Sequence, residues 1–399
     1  MRAVMVSLHR WMGLTMAAFI VVLGLTGGTL AFRPQLDRLL APEIFVGPHG
    51  ATTLDLASLL RLAEAAEPGG RVSSISLRYQ GTAAVAMEPI SEDKPLDFDT
   101  LYLDDVTGAV RGRIQQGRWP RQPAEIIPFI YALHYQLAAG DVGAWILGLV
   151  ALTWTINCFV GFYLTLPSVG RRSSLGFIEA WKPSWLVKRG ASVYRTILDI
   201  HRVTGLWLWA ALLVFAWSGV YMDLNGFYSR VTGLLLDYEQ PIWARAPLQQ
   251  LDANRNTLEW SAALETGQRL MEHLAREQNF TIGRPVAFSF MPDKGLYEYV
   301  ARSSRDIGDS GGRTTIDFDA HDGSLKFVSL PTGQRSGVTL TTILVELHMA
   351  NIFGLAYKLF VAVFALSIIA IAVTGIFIWA IKRDTRNSHK SMRVSTHSR

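Results

Sequence analysis

Four of the nine histidines in this 399-residue chain occupy positions that correspond between its two halves. His9 aligns with His201 at an offset of 192 residues, and His134 aligns with His348 at an offset of 214 residues. Neutral imidazoles can bind a metal or relay protons, and two of them can share one metal ion. The symmetry therefore favours two pairs of histidines, His9 with His201 and His134 with His348.

Each of these histidines lies close to an apolar run that is long enough to cross a bilayer, about 20 residues. The runs cover residues 11–32, 142–166, 206–222 and 355–381. The first run could be a signal peptide, but it ends in Phe32-Arg33-Pro34 instead of a small-residue cleavage site. We therefore expect it to be retained, and the sequence predicts an integral membrane protein with four membrane helices.

Charge is distributed unequally between the segments that separate these runs. Residues 1–10, 167–202 and 381–399 together hold 15 Lys and Arg against 3 Asp and Glu. The long segments hold 10 against 14 (residues 33–142) and 12 against 16 (residues 223–347). The positive-inside rule then places both termini and the basic loop in the cytoplasm and both long segments outside it. Because this topology explains the net charge of +5, we expect no nucleic-acid partner.

The two long segments follow the same plan. Each begins with a helix-like stretch, at residues 54–66 and 260–277, and continues with alternating strand-like runs and a hairpin. The hairpins, Leu101 to Val110 and Ile316 to Leu325, contain Thr-Gly and Asp-Gly turns. The sequence thus predicts an exported α+β lobe in each copy. Parallel repeats of this kind are expected to be related by an axis along the membrane normal.

The predicted fold class is a membrane α-helical bundle of four transmembrane helices in two parallel repeats, with two exported α+β lobes. The predicted boundaries are 1–32 for the first membrane helix, 33–132 for the first lobe, 133–166 for the helix at its end and the second membrane helix, 167–200 for the basic cytoplasmic loop, 201–222 for the third membrane helix, 223–345 for the second lobe, 346–382 for the helix at its end and the fourth membrane helix, and 383–399 for the basic tail.

Five short strings carry a resemblance to a known family: Leu8-His-Arg-Trp-Met-Gly13, Tyr102-Leu-Asp-Asp-Val-Thr-Gly108, Leu133-His134, Ile200-His-Arg-Val-Thr-Gly205 and Leu347-His348. Over residues 5–382 the chain resembles the PepSY-associated transmembrane (PepSY_TM) proteins, which include bacterial inner-membrane ferric-siderophore reductases and iron-regulated membrane proteins. The resemblance implies PepSY-like periplasmic lobes and a haem-containing membrane protein. The second hairpin departs from the pattern at Ala320-His321-Asp322, so a role shared by both hairpins is not implied.

The histidine pairs are suited to haem iron. Neutral imidazoles from facing helices are the usual ligands of a haem inside a helical bundle. The single cysteine, Cys158, excludes an internal disulfide, a thiolate zinc site, an iron–sulfur cluster and covalent c-type haem attachment. A histidine pair on each side of a hydrocarbon core about 30 Å thick predicts two b-type haems stacked across the bilayer. A histidine at a helix end can also be only an interfacial hydrogen-bonding group.

Further cofactor contacts are predicted beside the first histidine pair. Gly13 and Gly205 lie four residues after His9 and His201, on the same helix face, where missing side chains would let a flat macrocycle approach. Close helix packing is the alternative role. Arg10 and Arg202 could meet haem propionates or act as ordinary cytoplasmic anchors. Asn157 and Cys158 are expected to be packing residues.

The leading hypothesis is an inner-membrane ferric-siderophore reductase. Electrons from a quinol or a cytoplasmic reductase would cross the bilayer and reduce a ferric siderophore in the periplasm; the sequence identifies no catalytic residue. One alternative is a siderophore or iron-compound transporter, in which the repeats rock around a midplane site. The spans carry no broken-helix pair at mid-depth, which argues against transport. The other alternative is a non-catalytic regulator that uses its PepSY-like lobes as a sensor.

Overall fold

A computed structural model describes residues 1–47, 52–91, 93–168, 176–245 and 256–397, with the side chains described up to residue 383. The chain divides into two compact units. The first unit comprises Met1–Ala31, His134–Leu224 and Leu355–Arg399, and the second comprises Phe32–Leu133 and Asn225–Gly354. Part of the predicted basic loop, residues 169–175, lies outside the described residues.

The described helices and strands are numbered here in chain order. The helices are α1 (Arg2–Leu30), α2 (Arg33–Leu40), α3 (Leu56–Ala66), α4 (Ile126–Gln136), α5 (Gly140–Thr165), α6 (Phe177–Trp181), α7 (Val193–Trp207), α8 (Trp209–Asp223), α9 (Asn225–Leu235), α10 (Trp260–Glu277), α11 (Ser336–His348) and α12 (Gly354–His397). The strands are β1 (Gly70–Tyr79), β2 (Thr82–Pro89), β3 (Thr100–Asp104), β4 (Val110–Ile114), β5 (Ile282–Met291), β6 (Leu296–Ser303), β7 (Thr314–Asp319) and β8 (Leu325–Ser329).

Three helices of the first unit, α1, α5 and the part of α12 up to Arg383, are long and apolar enough to cross a membrane. A fourth crossing would have to be formed by α7 and α8 together, which are bent by 68° at a short break. The sequence predicts one continuous membrane helix over residues 201–222, and that prediction is wrong, because the helix is broken at Leu208. Gly205 lies in the last turn of α7, before the break, and glycine is a residue that disfavours a helix. The indoles on either side of the break, Trp207 and Trp209, then donate to carbonyls of different segments, at Trp185 and Cys158.

The helices of the first unit pack through a small apolar core and through glycines. Phe215 of α8 and Phe364 of α12 stack with ring centroids 4.7 Å apart. A Cβ at Gly24 would lie 2.8 Å from the side chain of Ile369, and a Cβ at Gly219 would lie 3.1 Å from Ala151. These glycines permit a close approach of neighbouring helices, as is typical of membrane bundles.

The second unit contains one antiparallel sheet of eight strands in the order β4-β3-β2-β1-β5-β6-β7-β8. The two segments that were predicted as separate lobes contribute four strands each. They join through β1 and β5, where Ile75 pairs with Phe288. Each of these strands would otherwise present unpaired backbone groups at a sheet edge. Helices α3 and α10 cover one face of the sheet and bury a core that includes Leu59 and Phe318.

Both predicted hairpins are confirmed, as β3–β4 and β7–β8. In the first turn, one carboxylate oxygen of Asp104 accepts the backbone N–H groups of Val106 and Thr107. In the second turn, Asp319 accepts the backbone N–H of His321. Each turn closes with a glycine at positive φ, +72° at Gly108 and +71° at Gly323, a conformation that glycine adopts without strain.

Candidate functional site

A cavity of about 380 Å³ lies within the first unit, among α1, α5, α7, α8 and α12. Its volume falls in the range of small-molecule and cofactor sites, about 300–1,000 Å³. Much of its lining is apolar, with basic side chains among it. The lining includes all six residues that the sequence analysis assigned to this end of the bundle: His9, Arg10, Gly13, His201, Arg202 and Gly205.

The imidazoles of His9 and His201 are neighbours in this cavity. Their ring centroids are 6.1 Å apart and their planes are inclined by 76°. His9 Nδ1 lies 2.8 Å from Asn157 Oδ1, and His201 Nδ1 lies 3.0 Å from the Ile371 carbonyl oxygen and 3.1 Å from Thr374 Oγ1. Because amide and carbonyl oxygens only accept, both Nδ1 atoms must donate. Each neutral ring therefore carries its lone pair on Nε2.

The surroundings of the two rings are related by the internal repeat. Asn157 and Ile371, which accept the Nδ1–H groups, are separated by the offset of 214 residues. The same offset relates Gly161 and Gly375. A Cβ at Gly161 would lie 3.1 Å from His9 Cε1, and a Cβ at Gly375 would lie 3.3 Å from Cε1 of the other ring. Each imidazole is thus held between an acceptor and a glycine of the neighbouring helix.

The two histidines could hold the iron of a haem. Both rings line the same cavity, and each offers the Nε2 lone pair that such an iron would require. Within the described part of the chain, no group of three or more His, Cys, Asp or Glu could hold a bare metal ion. A pair of histidines suits an iron whose four in-plane ligands come from a macrocycle.

The two predicted glycines border open space next to these rings. A Cβ at Gly205 would meet no atom within 4 Å, and a Cβ at Gly13 would meet only Asn157 Nδ2, at 3.9 Å. Neither glycine is therefore required by helix packing. Their lack of a side chain leaves room for a flat ligand against α1 and α7.

The two predicted arginines differ in the hydrogen bonds and ion pairs that their guanidinium groups form. Arg202 donates to Asp199 Oδ1 at 2.8 Å and to the Pro183 carbonyl at 2.6 Å, and Asp199 is fully buried. Arg10 makes no hydrogen bond or ion pair within the described residues. Arg2, which the sequence analysis did not single out, also lines the cavity, and its guanidinium donates to two carbonyls at the end of α5. Of the two predicted arginines, Arg10 has the more available guanidinium.

His134 has surroundings of the same kind, although it lies elsewhere in the first unit. Its Nδ1 is 2.8 Å from Thr26 Oγ1, and that hydroxyl donates to the Val22 carbonyl at 2.7 Å. His134 Nδ1 must therefore be the donor, and the lone pair is again on Nε2. A Cβ at Gly27 would lie 2.9 Å from His134 Cε1. Three of the four candidate histidines thus share one tautomer and one glycine contact.

His348 is the last residue of α11 and belongs to the second unit. Its predicted pairing with His134 stays a prediction. The short connections that follow the helices of His134 and His348 contain residues in the left-handed backbone conformation. Four of the five non-glycine residues with positive φ in the described chain occur in these breaks: Leu137, Ala138, Ala350 and Phe353. Backbone strain of this kind concentrates at functional sites.

The sequence analysis missed the residues that orient the rings. It expected Asn157 to be a packing residue, whereas Asn157 accepts the Nδ1–H of His9. It did not single out Thr374, which contacts His201. The offset that aligned Gly161 with Gly375 was the available signal, because it also relates the acceptor positions of the two copies.

Comparison with known proteins gives one family. The model of the PepSY-associated TM region matches residues 6–382, which is nearly the whole chain. No curated protein matches the sequence.

Proposed function

Because the chain belongs to the PepSY-associated TM region family, and is therefore a membrane protein, we propose that it is a haem-containing oxidoreductase that passes electrons across the bilayer to a ferric siderophore. The observation that carries this proposal is the pair formed by His9 and His201. Their ring centroids are 6.1 Å apart, and both Nδ1–H groups donate hydrogen bonds to oxygen atoms of neighbouring helices. Outer contacts of this type fix the tautomer and raise the basicity of metal-binding histidines.

The predicted residues of the cavity each have a specific role in this proposal. His9 and His201 would hold the iron through Nε2, and Asn157 and the Ile371 carbonyl, as acceptors of the Nδ1–H groups, would keep their rings in place. Gly13 and Gly205 admit the macrocycle, and Arg10 offers a guanidinium to a propionate. A bound haem b would supply one-electron transfer between two oxidation states of its iron.

A second haem, held by His134 and His348, completes the proposed electron path. The contacts of His134 with Thr26 and Gly27 repeat those of the first pair, which supports a shared role. In this proposal the protein lies in the bacterial inner membrane with both termini in the cytoplasm and the second unit in the periplasm. Donors would be a quinol or a cytoplasmic reductase.

The proposed direction of transfer is physically favourable. An electron that leaves a negative cytoplasm gains about 2.3 kcal/mol per 100 mV if it crosses the full potential. Oxygen-rich siderophores hold hard Fe(III) more tightly than Fe(II). Reduction in the periplasm would therefore weaken the complex and release the iron.

Transport of an iron compound is a second candidate, and the bent pair α7–α8 favours it. Both helices line the cavity, at His201 and at Trp209 and Leu212. Broken helices at a central cavity are typical of substrate sites in secondary transporters. A transporter would take up substrate without any haem, which separates the two proposals.

The experiment that tests the reductase proposal follows the haem and the iron together. Protein purified in detergent is reduced under anaerobic conditions, freed of reductant and mixed with a ferric siderophore and a ferrous-specific chelator. We expect the reduced Soret band to return to its oxidised position while the ferrous complex forms in equal electron equivalents. A reduced haem that stays reduced, or a protein without a Soret band, would contradict the proposal.

A further inference from the structure

A short segment of the basic loop, residues 177–189, packs against the end of a membrane helix. The indole of Trp181 donates to Thr165 Oγ1 at 3.3 Å, and the hydroxyl of Ser184 donates to the Thr165 carbonyl at 2.9 Å. Thr165 is the last residue of α5, which has 26 residues and is therefore about 39 Å long at 1.5 Å per residue. Because the hydrocarbon core is about 30 Å thick, a helix of this length reaches the headgroup regions with its ends. The segment thus lies level with the lipid headgroups.

Contacts with α7 fix the position of this segment within the first unit. The ring centroids of Trp185 and Trp207 are 5.2 Å apart, and Trp207 Nε1 donates to the Trp185 carbonyl at 3.4 Å. The backbone N–H of Lys188 donates to Asp199 Oδ2 at 3.2 Å, and Asp199 is fully buried. The segment is therefore a packed part of the first unit, and its exposed side chains form a defined surface.

Large apolar side chains on this surface remain exposed. Ile178 of α6 is 76% exposed, and Leu186 and Val187, which follow Trp185 in the chain, are 57% and 43% exposed. Apolar side chains of an interfacial segment are buried at the boundary between headgroups and acyl chains. The level of the segment, set by its contacts with Thr165, gives these side chains access to that boundary.

Basic side chains accompany the apolar ones. Lys182, Lys188 and Arg189 are exposed, against one acidic residue, Glu179, within residues 177–189. Basic residues next to a membrane helix are attracted by anionic lipids, whereas a zwitterionic surface offers them no net charge. The surface is thus complementary to anionic headgroups in both its apolar and its charged side chains.

We propose that residues 177–189 form an interfacial anchor that binds the anionic phospholipid headgroups of the adjacent leaflet. This inference does not depend on the proposed reductase function. The anchor also contacts the cavity wall, because the Pro183 carbonyl accepts from Arg202 at 2.6 Å and Arg202 lines the cavity. Binding of anionic lipid would therefore stabilise one wall of the cavity.

The test places a fluorescent reporter on the anchor of the full-length protein in lipid nanodiscs. Ile178→Cys is labelled with the environment-sensitive NBD group, and the unsubstituted protein is the labelling blank, because its one cysteine, Cys158, is buried. The nanodiscs contain phosphatidylcholine with increasing fractions of phosphatidylglycerol. A nitroxide-labelled lipid reports whether the NBD group reaches the acyl boundary.

Two double variants, each made in the labelled protein, separate the charge of the anchor from the charge of the whole protein. Lys188→Gln with Arg189→Gln removes two basic residues from the anchor. Arg61→Gln with Arg269→Gln is the matched control, because it removes two exposed arginines from α3 and α10 of the second unit.

We expect the NBD emission to shift to the blue, and its quenching by the nitroxide lipid to increase, as phosphatidylglycerol is added. High salt should reverse the shift, because it screens charges that are exposed to solvent. At about fivefold per basic residue, the variant of Lys188 and Arg189 should need about 25-fold more phosphatidylglycerol for the same shift, and the control should respond as the unsubstituted protein does. Phosphatidylglycerol should also raise the melting temperature, except in the anchor variant.

Several results would overturn the proposal. Equal emission with and without phosphatidylglycerol would exclude selection of anionic headgroups, and an NBD group that stays in water in every nanodisc would leave the surface to a soluble partner. An undiminished response in the anchor variant, or an equal loss in both double variants, would exclude recognition by Lys188 and Arg189. The salt dependence of the unsubstituted anchor tests the same claim even if the anchor variant does not fold.

Discussion

Replacement of Gly205 by leucine should fill the cavity beside His201 without harm to the helix that carries it. Gly205 lies in α7 and lines the cavity, and a Cβ at this position would meet no atom within 4 Å. The new side chain would therefore extend into open space that the proposal assigns to the haem. Gly233 in α9 offers a matched control, since a Cβ there also meets no atom within 4 Å.

Gly205→Leu should stabilise the folded protein but weaken the binding of haem. Exchange of a helical glycine for leucine favours the helix by about 0.8–1 kcal/mol, and burial of the side chain against apolar lining adds up to about 1.5–3 kcal/mol. The folded protein should thus be as stable as the wild type or more stable. Overpacking against a bound macrocycle costs about 1–3 kcal/mol, which corresponds to a loss of haem affinity of about 5- to 150-fold.

The assay combines haem titration of the apoprotein with thermal unfolding of Gly205→Leu and Gly233→Leu. We expect weakened haem binding in Gly205→Leu alone, with a melting temperature no lower than that of the wild type. Unchanged haem affinity in Gly205→Leu would refute the placement of the macrocycle against α7. A large drop in its melting temperature would refute the claim that this space is open.

Three further predictions concern single side chains. Asn157→Ala removes the acceptor of His9 Nδ1–H and should lower haem affinity about 10- to 100-fold, as measured by haem transfer to an apoprotein acceptor; unchanged transfer would exclude an orienting role. Burial opposes ionisation of Asp104, but hydrogen bonds from Arg111 and from backbone N–H groups outweigh it and hold its pKa well below the usual value. Asp104→Asn should therefore destabilise the protein by about 2 kcal/mol at pH 7. Because the folded-state pKa of Asp104 is depressed, the difference in unfolding free energy between variant and wild type should shrink as the pH falls below about 4. A difference that does not change with pH would contradict this. Desolvation and the nearby Glu298 raise the pKa of Asp317 to about 8. In the unfolded chain the pKa of this carboxyl group is about 4. The folded protein therefore loses stability as the pH rises from about 4 towards 8. Asp317→Asn should raise the melting temperature relative to wild type, and more at pH 8 than at pH 5; a constant difference would show that the carboxyl group is already ionised.

Local patterns in the sequence predicted much of the architecture. The hairpin that ends at Val110 and the helix that begins at Trp260 follow from short-range signals, namely turn residues and apolar periodicity, and both occur in the structure. The internal repeat brought His9 and His201 into correspondence, and the structure places them 6.1 Å apart. An internal repeat can predict contacts between residues that are far apart in sequence, because both copies must bury equivalent faces.

Features that depend on contacts between distant segments were not predictable in this way. The pairing of Ile75 with Phe288 joins two segments about 200 residues apart in sequence, and no local pattern specifies which strand edge will meet which. On either side of the bend at Leu208, the indoles of Trp207 and Trp209 donate to the carbonyls of Trp185 and Cys158, whereas hydropathy alone indicates one continuous run. Asn157 resembles a packing residue until its partner is known.

The most direct test of the central claim is the haem content per chain, from the pyridine haemochrome spectrum, of protein expressed with ample haem. The variants are His9→Ala, His201→Ala and the control His273→Ala, whose side chain is 74% exposed. The account predicts two b-type haems in the wild type and the control, and one haem in both His9→Ala and His201→Ala, with the same remaining spectrum. A wild type without haem, or full haem content in either cavity variant, would contradict it.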